Sequence, residues 1–450
     1  MKSKSVFVCQ SCGSQSAKWI GHCTACNEWN TYIEEITQSS SGKRSPKQAS
    51  SSRPKQLDEI DIQQLKRIKS GDQEFDRVLG GGLVSGSMVL IGGEPGIGKS
   101  TLVLQLSLQL SKVKTLYISG EESLQQLKMR SERLGESHSN ISFLSETSME
   151  NNMAQIEQFE PELVIVDSIQ TMVTERAESS AGSVTQVREC TNILIQYAKT
   201  NNCPVLIIGH INKDGHLAGP KVLEHMVDTV LQFEGDQNHL YRILRVLKNR
   251  FGPTDEMGIY EMRSSGLRIV PNPSEFLLAN REMQLSGNSV AAIVEGHRPL
   301  MIQSQALVST AAYGTPQRSA TGFDNRRLGM LLAVLEKRAG FKLAVKDVFL
   351  NMVGGLKVTD PATDMAVVAA ILSSDNNLSI EQNICFTGEL GLSGEFRPVT
   401  RIELRVAESA RLGFKQIMIP YANLKNTDFS RFNIEVEALK HIGELYKKLF

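Results

Sequence analysis

The sequence predicts an α/β protein built around a parallel sheet, with a small cysteine module before it and a second α/β unit after it. Three observations carry that prediction. Between about residues 57 and 270, short apolar runs alternate with stretches of helical period. Gly93-Glu94-Pro95-Gly96-Ile97-Gly98-Lys99-Ser100 fits GxxxxGK[ST] and separates one such strand from one such helix. Two CxxC pairs, Cys9/Cys12 and Cys23/Cys26, lie near the N-terminus, ten residues apart. The 450 residues are 41% hydrophobic and 22% charged, the balance of a soluble globular protein. No apolar run approaches a membrane span, and the opening Met1-Lys-Ser-Lys-Ser-Val-Phe lacks a secretory core, so a cytoplasmic protein without membrane contact is expected. Net charge is zero, so contact with nucleic acid must come from local patches.

The first element is a module over residues 1–35. Each CxxC pair can grip one side of a tetrahedral zinc ion, and the short loop between them suits a zinc ribbon or knuckle. Two disulfides are the alternative, disfavoured by the intracellular expectation. In so small a segment a metal supplies much of the folding free energy. Residues 36–56, rich in Ser, Lys, Arg and Pro, read as a flexible linker. Cys190, Cys203 and Cys385 sit singly in apolar or helical contexts and read as packing residues.

The second element, residues 57–270, carries the chemistry. Strands are expected at 87–92, 114–119, 162–167 and 204–209, with further strands near 229–234 and 241–247. The loop Gly93–Gly98 can wrap a phosphate with its backbone N–H groups, and Lys99, Ser100 and Thr101 open a helix whose N-terminus adds positive potential. Lys99 is expected on the β and γ phosphates, and Ser100 on a magnesium ion. The pattern therefore implies binding of a nucleoside triphosphate such as ATP. Asp167 ends the apolar strand Leu163–Val166, where a magnesium-side carboxylate is expected. Glu121, at the tip of Thr115–Ser119, can orient and deprotonate the attacking water, or act as a helix N-terminal acid; Glu122 reads as the latter. Lys248 and Arg250, in Lys248-Asn-Arg-Phe-Gly252, read either as a solvated basic pair or as cations reaching a neighbouring subunit's nucleotide. His210 heads a glycine-rich stretch running to Lys221, placed to sense the γ phosphate. Lys213 and Lys221 are candidates for a nucleic-acid backbone, and a plain surface loop is the alternative.

The elements in this order resemble the bacterial RadA (Sms) DNA repair family along essentially the whole chain: CxxC…CxxC, GGEPGIGKST, YISGEES, VIVDS, GHINKDGHLAGPKVLEHMVD and KNRFG. The resemblance implies a RecA-like P-loop ATPase core, an N-terminal zinc module and a C-terminal Lon-protease-like α/β domain. It implies a hexameric ring related to DnaB-type helicases, and branch migration of recombination intermediates on single-stranded and branched DNA alongside the RecA recombinase. Lys99, Ser100 and Asp167 match its nucleotide and magnesium positions, Glu121 its water-activating glutamate, and Lys248 and Arg250 its trans-acting fingers.

The third element, residues 271–450, begins at Pro271-Asn-Pro273, with helices expected near 325–339, 361–373 and 401–411. Gly354–Asp364 and Gly388–Val399 resemble the Lon segments that bear its serine and precede its lysine. Ala362 stands at the serine position and Glu403 at the lysine position, and Thr363 would lack a paired lysine. The resemblance thus implies a non-proteolytic scaffold that supports the ring and contacts DNA; Lys337, Arg338, Lys342 and Lys346 read as a basic patch, with a solvated face as the alternative. Three classes remain in competition: a DNA motor, an ATP-dependent protease disfavoured by the missing dyad, and a RecA-fold switch acting through protein partners.

Overall fold

The computed structural model describes residues 4–9, 13–37, 66–135, 140–210, 221–235, 241–270, 274, 278, 285–311, 315–353, 358–425 and 427–450. The chain divides into two units, Met1–Ile269 and Val270–Phe450.

At the N-terminus, β1 (Lys4–Cys9), β2 (Gln15–Ser16) and β3 (Tyr32–Thr37) form an antiparallel sheet in the order β2-β1-β3. β3 runs two residues into the stretch read as linker; residues 38–56 lie outside the described residues.

A short antiparallel pair, β4 (Arg67–Ile68) and β5 (Leu83–Val84), precedes the main sheet. That sheet comprises β6 (Met88–Gly93), β7 (Thr115–Ser119), β8 (Ile141–Ser145), β9 (Leu163–Asp167), β10 (Val205–His210), β11 (Thr229–Glu234), β12 (Tyr241–Asn249), β13 (Met257–Arg263) and β14 (Gly266–Ile269). Its order is β14-β13-β12-β11-β6-β10-β9-β7-β8. The four strands expected first and the two near 229 and 241 are present, their starts displaced by at most one residue. The sheet is not wholly parallel, however. β11 to β8 pair in parallel, whereas β12, β13 and β14 extend one edge antiparallel.

The inner strands are buried on both faces, which explains their unbroken apolar runs. Val89, Ile91, Tyr117, Ile165 and Ile208 pack with Leu102 and Leu104 of the helix Lys99–Gln109 and Leu127 of the helix Leu124–Arg133. Leu90, Ile118, Val166 and Ile207 pack on the opposite face with the helices Met149–Phe159 and Val184–Asn201. Serine starts three of these helices: Ser123, Ser148 and Ser183 each accept a backbone N–H from the first turn, and Gln126 completes a capping box. Register then aligns the strand tips. Gly93 lies beside His210, and Ser119 beside Asp167, so β6, β10, β9 and β7 end along one edge. In open α/β sheets this carboxyl edge is where ligands bind.

The second unit is a mixed sheet of β15 (Asn288–Glu295), β16 (Arg298–Thr310), β17 (Arg318–Thr321), β18 (Lys346–Met352), β19 (Ile384–Phe386), β22 (Gln416–Pro420) and β23 (Glu435–Leu439), ordered β17-β18-β16-β15-β19-β22-β23. A small pair, β20 (Glu389–Leu390) and β21 (Phe396–Arg397), lies between β19 and β22 in the chain. Helices occupy Asn325–Ala339, Asp364–Asn376 and Ile402–Arg411, near the expected positions; the middle one is preceded by a 3-10 turn, Pro361–Thr363. Asp364–Ser373 is buried throughout. Among the described residues no helix is long and apolar enough to cross a membrane.

Candidate functional site

The phosphate loop leaves β6 at Gly93, where a Cβ would stand 2.7 Å from the Phe233 carbonyl oxygen, so only glycine fits. Gly98 turns into the helix with φ +112°, and no side chain caps that helix. Glu94, Pro95 and Gly96 form the exposed tip, while Ile97 is buried and its carbonyl accepts from the buried Arg242 Nε at 3.0 Å. An uncapped helix start behind a glycine loop is a fitting cradle for phosphate. Lys99, 3% exposed, donates to the carbonyls of Gly93 (2.8 Å) and Glu94 (2.9 Å). Burial pulls its ammonium down to about 8, against the pull of Asp167, Glu121 and Glu94. Ser100 and Thr101 follow in the first turn, partly buried.

Asp167 is buried at the end of β9. Its Oδ1 accepts from Ser100 Oγ at 3.1 Å and its Oδ2 from Tyr117 at 2.6 Å. Burial raises its carboxyl above the ordinary value despite both bonds. A hydroxyl facing a buried carboxylate is a hard oxygen pair suited to magnesium. Glu121 Oε1 accepts from Ser168 Oγ at 2.5 Å and stands 3.2 Å from His210 Nε2. The His210 contact, then Ser168 and the charge of Lys99, holds its carboxyl down at about 2 against partial burial. His210 Nδ1 lies 3.2 Å from Lys99 Nζ, so one imidazole joins the loop lysine to the glutamate. A ring with its proton on Nε2 satisfies both contacts. Glu122 does not join this group: it pairs with Arg130 on the helix it precedes.

Lys248 and Arg250 part company. Lys248 Nζ donates to the carbonyls of Glu224 (2.7 Å), His225 (3.2 Å) and Val227 (2.7 Å), closing the C-terminus of the helix Lys221–Met226. Arg250, past the end of β12, has a side chain 57% exposed and lies 3.8 Å from Asp228. Lys221 opens its helix; Lys213, with residues 211–220, lies outside the described residues. Tyr117, Ser168 and Arg242 escaped the sequence reading because their roles depend on contacts between strand tips.

In the cysteine module the sulfurs of Cys9, Cys23 and Cys26 lie within 4.8 Å of one another; Cys12 lies outside the described residues. The turns after Cys9 and Cys23 are alike. The N–H of Gly13 bonds the Cys9 carbonyl and that of Asn27 the Cys23 carbonyl, both at 2.8 Å. Both turn residues have positive φ, +73° and +60°. Converging thiols on paired knuckles form a donor set suited to zinc. Cys190, Cys203 and Cys385 are buried, and burial pushes the Cys190 thiol up to about 12 and Cys203 to about 11, as inert packing residues require.

In the second unit Ala362 and Thr363 are fully buried, and the Thr363 hydroxyl donates to the Asp360 carbonyl at 2.6 Å. Glu403 is exposed and pairs with Arg431. Asp360 is tied instead to Arg405, whose buried guanidinium also donates to the Ala292 carbonyl at 2.9 Å. Of the basic patch, Lys346 is paired with Asp375.

Comparison with known proteins agrees with this anatomy. Family models match residues 7–34 (rubredoxin metal binding domain), 52–216 (AAA domain) and 304–423 (subunit ChlI of Mg-chelatase). The DNA repair protein RadA of Bacillus subtilis is 49% identical over 449 residues, covering 98% of both chains. Those of Halalkalibacterium halodurans and Listeria monocytogenes are each 48% identical, over 94% of both chains and over 99% and 98% respectively. With a zinc ribbon, a RecA-like ATPase core and a Lon-like C-terminal domain along a nearly full-length match, the chain belongs to the DNA repair protein RadA family.

Proposed function

We propose that this chain is a DNA-dependent ATPase and helicase that translocates on single-stranded DNA and promotes branch migration of recombination intermediates. It would work as a cytoplasmic homohexamer beside the RecA recombinase. The observation that carries the reading is the junction at His210. One side chain meets Lys99 and Glu121 and also heads the segment that holds Lys213, so events at the phosphates can reach candidate DNA contacts.

Lys99 supplies the charge for the β and γ phosphates of ATP, and the loop amides supply the donors. Ser100 and Asp167 are the residues that would hold magnesium, which when bound offsets phosphate charge. Glu121 is ionised throughout the neutral range and orients the attacking water. A carboxylate held near 2 is a weak base, so taking up the water's proton requires His210 and Ser168 to loosen their grip. Arg250 is the better placed of the two fingers to reach another subunit, because the Lys248 ammonium is engaged by its own chain.

The test is ATP turnover with and without single-stranded DNA across a salt titration. Stimulation that weakens as salt rises is expected for phosphate contacts coupled to hydrolysis. Turnover indifferent to DNA would instead favour a switch acting through protein partners.

A further inference from the structure

The two oxygens of Asp167 are held in different ways. Oδ1 faces Ser100 Oγ at 3.1 Å, whereas Oδ2 accepts the Tyr117 hydroxyl at 2.6 Å. Tyr117 lies on the adjacent strand β7. Its register partner on β9 is Ile165, so Asp167 stands two residues further along on the same sheet face, within reach of a long aromatic side chain. The phenol is 0% exposed and its ring tilts against Phe143, with centroids 5.6 Å apart. It belongs to the core on the face of the helix Lys99–Gln109, so the ring cannot swing away. A phenylalanine would fill that volume equally well, which leaves the hydroxyl without a packing explanation.

We propose that Tyr117 is a positioning residue: its buried hydroxyl clamps Oδ2 of Asp167, so that Oδ1 alone is presented beside Ser100, and thereby sets the magnesium affinity of the nucleotide complex. The proposal rests on reading Asp167 as the magnesium-side carboxylate. Without the clamp the carboxylate can rotate about its Cβ–Cγ bond, and a buried oxygen loses its donor. Groups behind a ligand typically change metal affinity or activity about 10- to 100-fold when removed.

The experiment titrates magnesium against the affinity of the full chain for a fluorescent ADP analogue, with EDTA as the metal-free reference. Y117F should keep the EDTA affinity within about twofold and raise the magnesium half-saturation about tenfold. D167N, run in parallel, should lose the magnesium dependence. If D167N keeps it, the reading of Asp167 falls and the clamp with it. If D167N loses it while Y117F titrates like wild type, the clamp alone is overturned. Equal losses with and without magnesium in Y117F would reduce Tyr117 to packing and also overturn it. Fluorotyrosine placed at 117, which keeps the ring and strengthens its donation, covers a Y117F chain that fails to fold. An unchanged half-saturation there overturns the proposal.

Discussion

His210 sets its Nε2 3.2 Å from Glu121 Oε1, at the junction between the carboxyl edge of the sheet and the segment that follows β10. The contact is the largest influence holding Glu121 down at about 2. If Glu121 orients the attacking water as proposed, His210→Ala should leave nucleotide affinity within a few-fold and lower single-turnover hydrolysis about 10- to 100-fold, the lost orientation outweighing the gain in basicity of the released carboxylate. His210→Gln keeps one donor and should recover part of the loss. Parallel binding and single-turnover measurements check this; equal loss of binding and hydrolysis would remove the positioning role.

Lys99 gives a pH prediction whose sign is fixed by burial. Its folded value of about 8 lies below the ordinary 10.5, so between those limits the unfolded chain holds a proton that the folded chain has released. The stability penalty of the buried charge is present below about 8 and is relieved as pH rises through that window. If Lys99 holds the phosphates as proposed, binding needs its charged form, so affinity for ATP should fall above about pH 8, with proton uptake on binding. Calorimetry at pH 9 in two buffers of different ionisation enthalpy should show uptake approaching one proton, absent in Lys99→Arg because arginine stays charged. Lys99→Ala should abolish turnover.

The sequence disclosed the parts of this fold that burial writes plainly. β6, β7, β9 and β10 are covered on both faces and read as continuous apolar runs. β8, Ile141–Ser145, is a half-buried edge strand with polar residues at positions two and five, and its pattern gives no such signal. β13 and β14 were hidden similarly, because an antiparallel edge tolerates Glu261, Arg263 and Arg268. At the candidate site, loop chemistry pointed to Lys99 and Ser100 because their spacing is local. Tyr117 passed as one more apolar strand residue, since nothing near it in the chain shows that Asp167 lies diagonally across the sheet. Lys248 and Arg250 looked equivalent because the carbonyls that engage Lys248 come from a helix some twenty residues earlier.

That difference separates the two cations by experiment. Lys248→Ala leaves three carbonyls at a helix end without their charged donor and should cost about 1–2 kcal/mol of stability. Arg250→Ala removes an exposed group and should leave the melting temperature unchanged. If Arg250 serves a neighbouring subunit, its alanine variant should bind ATP normally while hydrolysing it about 10³-fold more slowly. Mixing it with Lys99→Ala chains, which keep the finger but lack the loop lysine, should restore turnover at mixed interfaces. No restoration, or a loss of binding equal to the loss of hydrolysis, would place Arg250 outside the neighbour's site.

The cysteine module should stand or fall with its metal. Among the described residues its buried ones amount to little more than Val8, Cys9, Cys23 and Tyr32, too small an apolar cluster to offset the entropy of ordering some thirty residues. Zinc bound by the clustered thiolates would supply the difference, with binding free energy acting as folding free energy. The chain's two tryptophans, Trp19 and Trp29, both lie on this module and are 54% and 70% exposed. Their emission wavelength should therefore change little on unfolding, whereas their anisotropy should fall sharply. A strong chelator, or Cys23→Ser, is expected to remove the metal, lower that anisotropy and abolish amide protection across β1 and β3. DNA-independent ATP turnover by the RecA-like core should persist. Protected β1 and β3 amides in a metal-free chain would show that the sheet holds itself together, and the knuckles would then need another purpose.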